Sequence, residues 1–136
     1  MEKFAATIFL HLFCGTLAMM TGGWKEIDKN SPEVAKHAEF ATNKISASSN
    51  SLYHLKPVEI LKAESQVVSG INYRMTIKMA PTECKKNDSN NLDLSQCELV
   101  KCEAPMICNV TVWVQAWREN GTKLTNSFCE AGERPC

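Results

Sequence analysis

The 136-residue sequence has no excess of charge of either sign, because 15 acidic residues balance 15 basic ones. This balance gives no indication of nucleic acid or of an acidic partner, and we expect neither. The sequence also lacks a Cys-x-x-Cys pair, and its three histidines are scattered. We therefore expect no metal and no cofactor. Internal repeats are missing too, so the length predicts one domain with a modest core.

The N-terminus carries a single long apolar run, FAATIFLHLFCGTLA, preceded by Lys3. The run is too short and wrongly flanked for a membrane span, and the small residues Thr16 and Ala18 suit a cleavage site. We predict a signal peptide over residues 1–18 and a mature domain over residues 19–136. An uncleaved anchor is the alternative. The prediction implies a secreted, extracellular protein without a membrane partner.

Seven cysteines occur, and six remain if Cys14 leaves with the signal peptide. These six lie in the C-terminal half, at Cys84, Cys97, Cys102, Cys108, Cys129 and Cys136. An even number of cysteines in a secreted chain favours disulfide bonds over metal binding. Six cysteines can pair in many ways, and the sequence alone does not choose among them.

The segment NSPEVAKHAEFATNKI (30–45) carries the signals of a helix start. Ser31 can cap the helix, Pro32 suits its first position, and Glu33 favours the positive end of the helix dipole. An apolar stripe follows at helical spacing: Val34, Ala38, Ala41 and Ile45. The two alanines predict close packing against a flat surface, most simply a sheet. The polar run SASSNS (46–51) is predicted to end the helix.

From residue 71 the pattern changes to period two, with polar residues between apolar ones. The apolar members are Ile71, Tyr73, Met75, Ile77 and Met79. This pattern predicts a strand with one buried face, and KPVEILKAES (56–65) is its less regular partner. A second hairpin is predicted where NVTVWVQAW (109–117) alternates and Asn120-Gly121 supplies a turn. One helix and about four mostly antiparallel strands make an α+β domain.

The turn of the first hairpin has an unusual composition, QVVSG, from Gln66 to Gly70. Val67 and Val68 are β-branched and apolar, and Trp117 lies near the second turn. If the two turns share one end of the sheet, their exposed apolar side chains mark a binding surface, and Trp is a common binding hot spot. The alternative is that the valines fold inward and Trp117 covers the edge of the core.

These motifs resemble those of the cystatins, reversible inhibitors of papain-like cysteine proteases. QVVSG fits the family's Gln-x-Val-x-Gly motif, and Gly22-Gly23 resembles its N-terminal glycine. Trp117 falls where the family carries Pro-Trp, with Ala116 in place of the proline. The order and spacing of the motifs are specific, and the likeness covers essentially the whole mature chain. TGGW and GINYRMTIKMAP are similar to tick-type secreted cystatins in particular.

The resemblance implies a curved antiparallel sheet of four to five strands wrapped around one helix. It also implies that the chain is a monomer and inhibits proteases of the cathepsin L type competitively and reversibly. A three-part wedge would enter the active-site cleft of the protease. The wedge would consist of Gly22, Gly23, Gln66, Val67, Val68, Ser69, Gly70, Ala116 and Trp117. The alternative is a secreted cystatin-fold binding module without inhibition, for which Ala116 is the main support.

An enzyme is disfavoured. Asp28, Glu33, His37 and His54 could meet, but nothing in the sequence fixes them around a nucleophile, and the helix stripe explains most of their segment. Some cystatins carry a second inhibitory site for legumain-type proteases, an Asn within Ser-Asn-Asp. Asn50 matches that Asn, although the next residue is Ser51.

The resemblance implies two disulfide bonds, Cys84–Cys97 and Cys108–Cys129. A third bond between Cys102 and Cys136 is the simplest outcome, with intermolecular pairing or a free thiol as the alternative. Candidate N-glycosylation sequons begin at Asn87, Asn109 and Asn120. Asn87 is the easiest to modify, Asn109 is doubtful because it starts a strand beside Cys108, and a glycan on Asn120 could obstruct the wedge.

Overall fold

The computed structural model describes residues 22–88 and 93–136, and the expected signal peptide (1–18) lies outside these ranges. Within them, one α-helix packs against a five-stranded sheet whose strands follow chain order, each antiparallel to the next. The elements are β1 (Lys25–Glu26), α1 (Pro32–Ser48), β2 (Tyr53–Val68), β3 (Gly70–Lys85), β4 (Met106–Val114) and β5 (Thr122–Ala131). The predicted α+β class is confirmed. In this part of the chain, no helix is long and apolar enough to cross a membrane.

Helix α1 begins at the predicted capping signals. The Ser31 hydroxyl accepts a hydrogen bond from the Val34 N–H at 3.2 Å, and Pro32 lies in the first turn. Val34, Ala38 and Ala41 are at most 1% exposed, so the predicted stripe faces the core. Because the two alanines are small, the helix packs closely against the sheet.

Helix α1 ends at Ser48, inside the polar run SASSNS (46–51) that was predicted to end it. The first serine of this run, Ser46, is still helical and is buried. The Ser46 hydroxyl accepts a hydrogen bond from the Leu55 N–H in β2 at 3.0 Å, and its carbonyl accepts one from the Lys86 ammonium. These tertiary partners satisfy polar groups that would otherwise favour a turn. The helix therefore tolerates the serines.

Strands β2 and β3 form a longer and tighter hairpin than predicted. Strand β2 runs to Val68 and β3 begins at Gly70, so only Ser69 separates them. Strand β3 also continues to Lys85, six residues beyond Met79, the last residue of the predicted alternation. Ile71 shares the apolar alternation of β3 but is 36% exposed, because it lies at the hairpin tip.

The core lies between α1 and one face of the sheet, here called the inner face; the opposite face is the outer face. Buried residues from α1 and from β2 to β4 form one cluster. They are Val34, Ala38, Ala41, Ala63, Tyr73, Met75, Ile77, Met79, Cys108, Val110 and Val112. The alternation in β3 and β4 thus places apolar residues inward and polar residues outward.

Three disulfide bonds join the six cysteines of the described residues. They link Cys84 to Cys97, Cys102 to Cys136 and Cys108 to Cys129. The last bond joins directly opposed residues of β4 and β5, with 4.0 Å between their Cα atoms. Because a disulfide restricts the unfolded chain, each is expected to add about 2–4 kcal/mol of stability.

A partly buried polar contact joins the start of α1 to β3. The Tyr73 hydroxyl donates to the Glu33 carboxylate at 2.5 Å, and the His37 ring lies 4.3 Å from the Tyr73 ring, centroid to centroid. Burial and the contact with Glu33 raise the pKa of Tyr73 to about 12. Burial lowers the pKa of His37, against the opposing effect of Glu33. Both side chains thus take part in packing the helix onto the sheet.

Replacing Ser46 by alanine is expected to lower the free energy of unfolding by about 1–3 kcal/mol, because the buried Leu55 N–H would lose its acceptor. Ser48→Ala is the matched control, since the exposed Ser48 hydroxyl donates to the Ile45 carbonyl within the helix. Its effect should stay within about 0.5 kcal/mol. Denaturant unfolding measures both, and equal losses would contradict the role given to Ser46.

The lowered pKa of His37 predicts that stability falls as the pH drops below 6.5, the ordinary value for histidine. The unfolded chain accepts a proton there that the folded state disfavours, so acid favours unfolding; above 6.5 the contribution is fully present. His37→Phe keeps a ring against Tyr73 but does not titrate. Its free energy of unfolding, measured in urea, should vary less than that of wild type between about pH 7 and pH 5. Identical slopes would refute the prediction.

Candidate functional site

The tips of the two hairpins lie side by side at one end of the sheet. We call residues 66–70 the first tip and residues 115–121 the second tip. Strands β3 and β4 are neighbours, and their register places Ile71 opposite Val114, the residue at which β4 ends. A hydrogen bond joins the tips directly, because Trp113 Nε1 donates to the Ser69 carbonyl at 2.8 Å. The two loops predicted to carry binding residues therefore form a continuous surface.

Gly70 makes this close approach possible. Its φ of +92° lies in the left-handed region, and a Cβ added there would lie 2.3 Å from the Val114 carbonyl oxygen. The same Cβ would lie 3.3 Å from Trp113 Nε1. A residue with a side chain would therefore meet both backbone strain and a collision. The glycine of the QVVSG motif is explained by the contact between the tips.

The N-terminal segment lies against the first hairpin. We call residues 22–27 the trunk. The Gly22 N–H donates to the Val67 carbonyl at 2.9 Å, and Gln66 Nε2 donates to the Gly22 carbonyl at 2.9 Å. Asn72 Nδ2 supports the Gln66 amide with a longer bond of 3.4 Å. The Gln66 side chain thus ties the trunk to the tip.

A second contact holds the trunk two residues further along. The Arg74 guanidinium lies 4.0 Å from the centroid of the Trp24 ring, a cation–π arrangement. The Glu64 carboxylate fixes the guanidinium, because both Nε and Nη2 of Arg74 lie 2.9 Å from the same oxygen. An exposed cation–π contact stabilises the folded state by about 0.5–1 kcal/mol. The trunk is therefore ordered by side chains of β2 and β3.

The second tip is closed by backbone hydrogen bonds around Gln115. The Gln115 N–H donates to the Gly121 carbonyl at 2.8 Å, and the Arg118 N–H donates to the Gln115 carbonyl at 3.0 Å. Between these bonds, Ala116 and Trp117 project into solvent. The loop therefore has a defined backbone, although Ala116 stands where the family that it resembles carries proline.

The apolar side chains of both tips face solvent. Val67 is 62% exposed and Trp117 is 61% exposed, whereas Val68 is half-buried. The alternative in which the valines fold inward and Trp117 covers the core is thus excluded for Val67 and Trp117. We call the surface formed by Gly22, Gly23, residues 66–70, Ala116 and Trp117 the apolar edge.

The remaining predicted residues lie away from the apolar edge, with one exception. Asn50 is exposed in the turn between α1 and β2. Strand β2 has 16 residues and ends at the first tip, so Asn50 lies on the order of 50 Å away. Asn87 and Asn109 are exposed, the latter on β4. Asn120 is the exception, because it lies in the second tip with a φ of +54°.

Three residues that shape the apolar edge were not predicted from the sequence: Trp24, Arg74 and Trp113. For Trp113 a signal was available, because it alternates with the valines of β4 and so falls on the outer face. Its bond to Ser69 required the register between β3 and β4, which the sequence does not specify. Trp24 and Arg74 meet only because the trunk pairs alongside β2, which lies next to β3.

Known proteins match this chain over most of its length. A family model described as the cystatin domain matches residues 22–117. "Cystatin-1" from Chilobrachys guangxiensis is 37% identical over 133 residues, covering 97% of this chain and 98% of its own length. "L-cystatin" from Tachypleus tridentatus is 38% identical over 131 residues, covering 96% of this chain and 98% of its own. The solved salivary cystatin of the soft tick Ornithodoros moubata superposes with a TM-score of 0.69 at 26% identity, covering 80% of this chain and 97% of that one.

Gly70→Ala is expected to lower the free energy of unfolding by about 2 kcal/mol or more, because the new Cβ meets both strain and the Val114 carbonyl. Gly23→Ala is the matched control, since a Cβ at Gly23 meets nothing within 4 Å. Denaturant unfolding of both variants makes the comparison. A loss at Gly70 no larger than at Gly23 would contradict the close approach of the tips.

Proposed function

The chain belongs to the cystatin family, and from this premise we propose that it is a reversible, competitive, tight-binding inhibitor of papain-like cysteine proteases of the cathepsin L type. The family and its named relatives support cysteine protease inhibition in general. The preference for one protease class and the wedge mechanism are our proposal. The apolar edge would enter the active-site cleft and block substrate.

The observation that carries the proposal is the assembly of three distant segments into the apolar edge. The trunk, the first tip and the second tip come together through hydrogen bonds of Gln66 and Trp113 to backbone carbonyls. Val67 and Trp117 together present exposed apolar area at this edge. Burying such side chains in a cleft is favourable at roughly 25 cal/mol per Å² of apolar surface.

The edge suits a cleft for geometric reasons. Gly22 and Gly23 lack side chains, so the trunk can lie close to the protease backbone on one side of its catalytic residues. The first tip enters the cleft itself, and Trp117 offers a rigid ring on the other side. In this proposal no peptide bond of the wedge lies over the catalytic thiolate, so inhibition is non-covalent and reversible.

Because the apolar edge is ordered before binding, less conformational entropy is lost when it is immobilised in the complex. Gln66 fixes Gly22, and Arg74 fixes Trp24, so the trunk already follows the first hairpin. Ala116 in place of proline gives the second tip more freedom, worth about 0.4–1 kcal/mol. The backbone bonds around Gln115 limit this effect, so Ala116 weakens affinity several-fold without abolishing inhibition.

We propose that the protein acts outside the cell as a monomer. Its three disulfide bonds suit an oxidising compartment. Asn50 remains a separate hypothesis for a legumain-type protease. Because it lies at the opposite end of the β2–β3 hairpin from the apolar edge, both proteases could bind one inhibitor at the same time.

Val67→Asp tests the proposal most simply, because Val67 is exposed and its replacement should leave the fold intact. Placing a carboxylate in an apolar contact should weaken binding by about 2–3 kcal/mol, roughly 30- to 150-fold in the inhibition constant. The measurement is titration of papain and cathepsin L with a fluorogenic peptide substrate.

Leu52→Asp is the matched control, because Leu52 is an exposed apolar residue (73%) near the opposite end of the sheet. It should inhibit as wild type does. If the folded wild-type chain fails to inhibit at micromolar concentration, the protein is instead a binding module with another partner. If Val67→Asp inhibits as well as Leu52→Asp, the first tip is not the contact.

A further inference from the structure

Phe128 lies on the outer face of the sheet and is 62% exposed in the interior of β5. The outer-face residues around it in β3 to β5 are mainly polar, among them Arg74, Thr76 and Asn126. A single exposed aromatic residue is common on protein surfaces and implies nothing by itself. A role for Phe128 follows from the residue directly opposite it in β4.

That residue is Asn109, the first residue of the sequon Asn109-Val110-Thr111, and it pairs with Phe128 in the β4–β5 register. Opposed residues on one face have their Cβ atoms about 4.5–5.5 Å apart. The Asn109 side chain is exposed, and its Oδ1 accepts a hydrogen bond from the Thr76 hydroxyl at 2.7 Å. This bond orients the amide so that Nδ2, the atom that N-glycosylation modifies, points away from Thr76.

We propose that Asn109 carries an N-linked glycan whose first N-acetylglucosamine packs against the Phe128 ring. In the transfer, Asn109 Nδ2 forms a bond to C1 of the sugar. The bond from C1 to the diphosphate of a lipid-linked oligosaccharide breaks, the lipid diphosphate leaves, and Nδ2 loses one proton. The inference rests on passage through the secretory route, which the disulfide bonds support, and not on protease inhibition.

The surroundings of Asn109 match the chemistry of a sugar. Its C–H face can pack on an aromatic ring, while its hydroxyl and acetamide groups need polar partners. A depression of 260 Å³ beside Asn109, formed by residues of β2 to β5, offers such partners from Lys62, Arg74, Thr76 and Asn126. The sugars therefore have an apolar contact at Phe128 and hydrogen-bonding groups close to Asn109.

The position of Asn109 in a strand does not oppose its modification. The sequence raised a doubt because Asn109 follows Cys108, but the two side chains lie on opposite faces, and Cys108 is fully buried. Transfer to the chain before it folds also precedes strand formation. Asn109 lies five residues from Val114, or about 17 Å from the tips, so the attachment point lies outside the apolar edge. A glycan on Asn120 would lie within that edge.

The test uses the full chain secreted from a eukaryotic cell line, with glycopeptide mass spectrometry to read occupancy. We expect Asn109 to be modified in most of the secreted protein. The same chain produced without glycans in bacteria and refolded is the reference, and the glycosylated form should melt several degrees higher. Trimming the glycan to its first sugar with an endoglycosidase should keep that difference.

The contact with Phe128 is tested by producing Phe128→Ala in both hosts. The gain in melting temperature should largely vanish in this variant and persist in Leu52→Ala, which removes an exposed apolar side chain far from Asn109. If Phe128→Ala is not secreted, Phe128→Thr, which keeps a high strand propensity, replaces it. An unmodified Asn109 in the secreted protein overturns the proposal. An equal gain in wild type and in the Phe128 variant overturns the packing on Phe128.

Discussion

The close approach of the backbone at Gly70 to the end of β4 is the constraint on which the rest of the apolar edge depends. At this point the chain reverses after a single residue, adopts a left-handed conformation and passes the Val114 carbonyl at a distance that excludes a side chain. Trp113 can reach the Ser69 carbonyl because the two tips are this close. The second tip, with Trp117, is thereby fixed relative to the valines of the first.

The trunk depends on the same hairpin. Val67 supplies the carbonyl for Gly22, Gln66 supplies the amide, and the side chains that hold Trp24 come from β2 and β3. The inner face of these strands packs on α1, so the core fixes the strands that carry the edge. A rigid support of this kind lets three segments act as one surface in place of three flexible loops.

Local patterns predicted the elements, because a helix and a half-buried strand each leave a period in the sequence. The stripe from Val34 to Ala41 and the alternation from Tyr73 to Met79 are such patterns. The burial of Ser46 within α1 was not predicted, because it depends on Leu55, a tertiary partner. The tether between Gln66 and Gly22 and the bond between Trp113 and Ser69 each span 44 residues. Contacts at such separations follow from strand register, which is fixed only when the whole sheet forms.

In the proposed complex, the trunk and the first tip bind a protease as one surface held by Gln66. A double-mutant cycle tests it most directly, with inhibition constants for papain measured for the chain from residue 19, for the chain from residue 24, and for Gln66→Ala in each. We predict stoichiometric, reversible inhibition by the longer chain, a loss for either change, and little further loss from Gln66→Ala once the trunk glycines are removed. Absence of inhibition, or an equal loss from Gln66→Ala in both chains, would contradict the account.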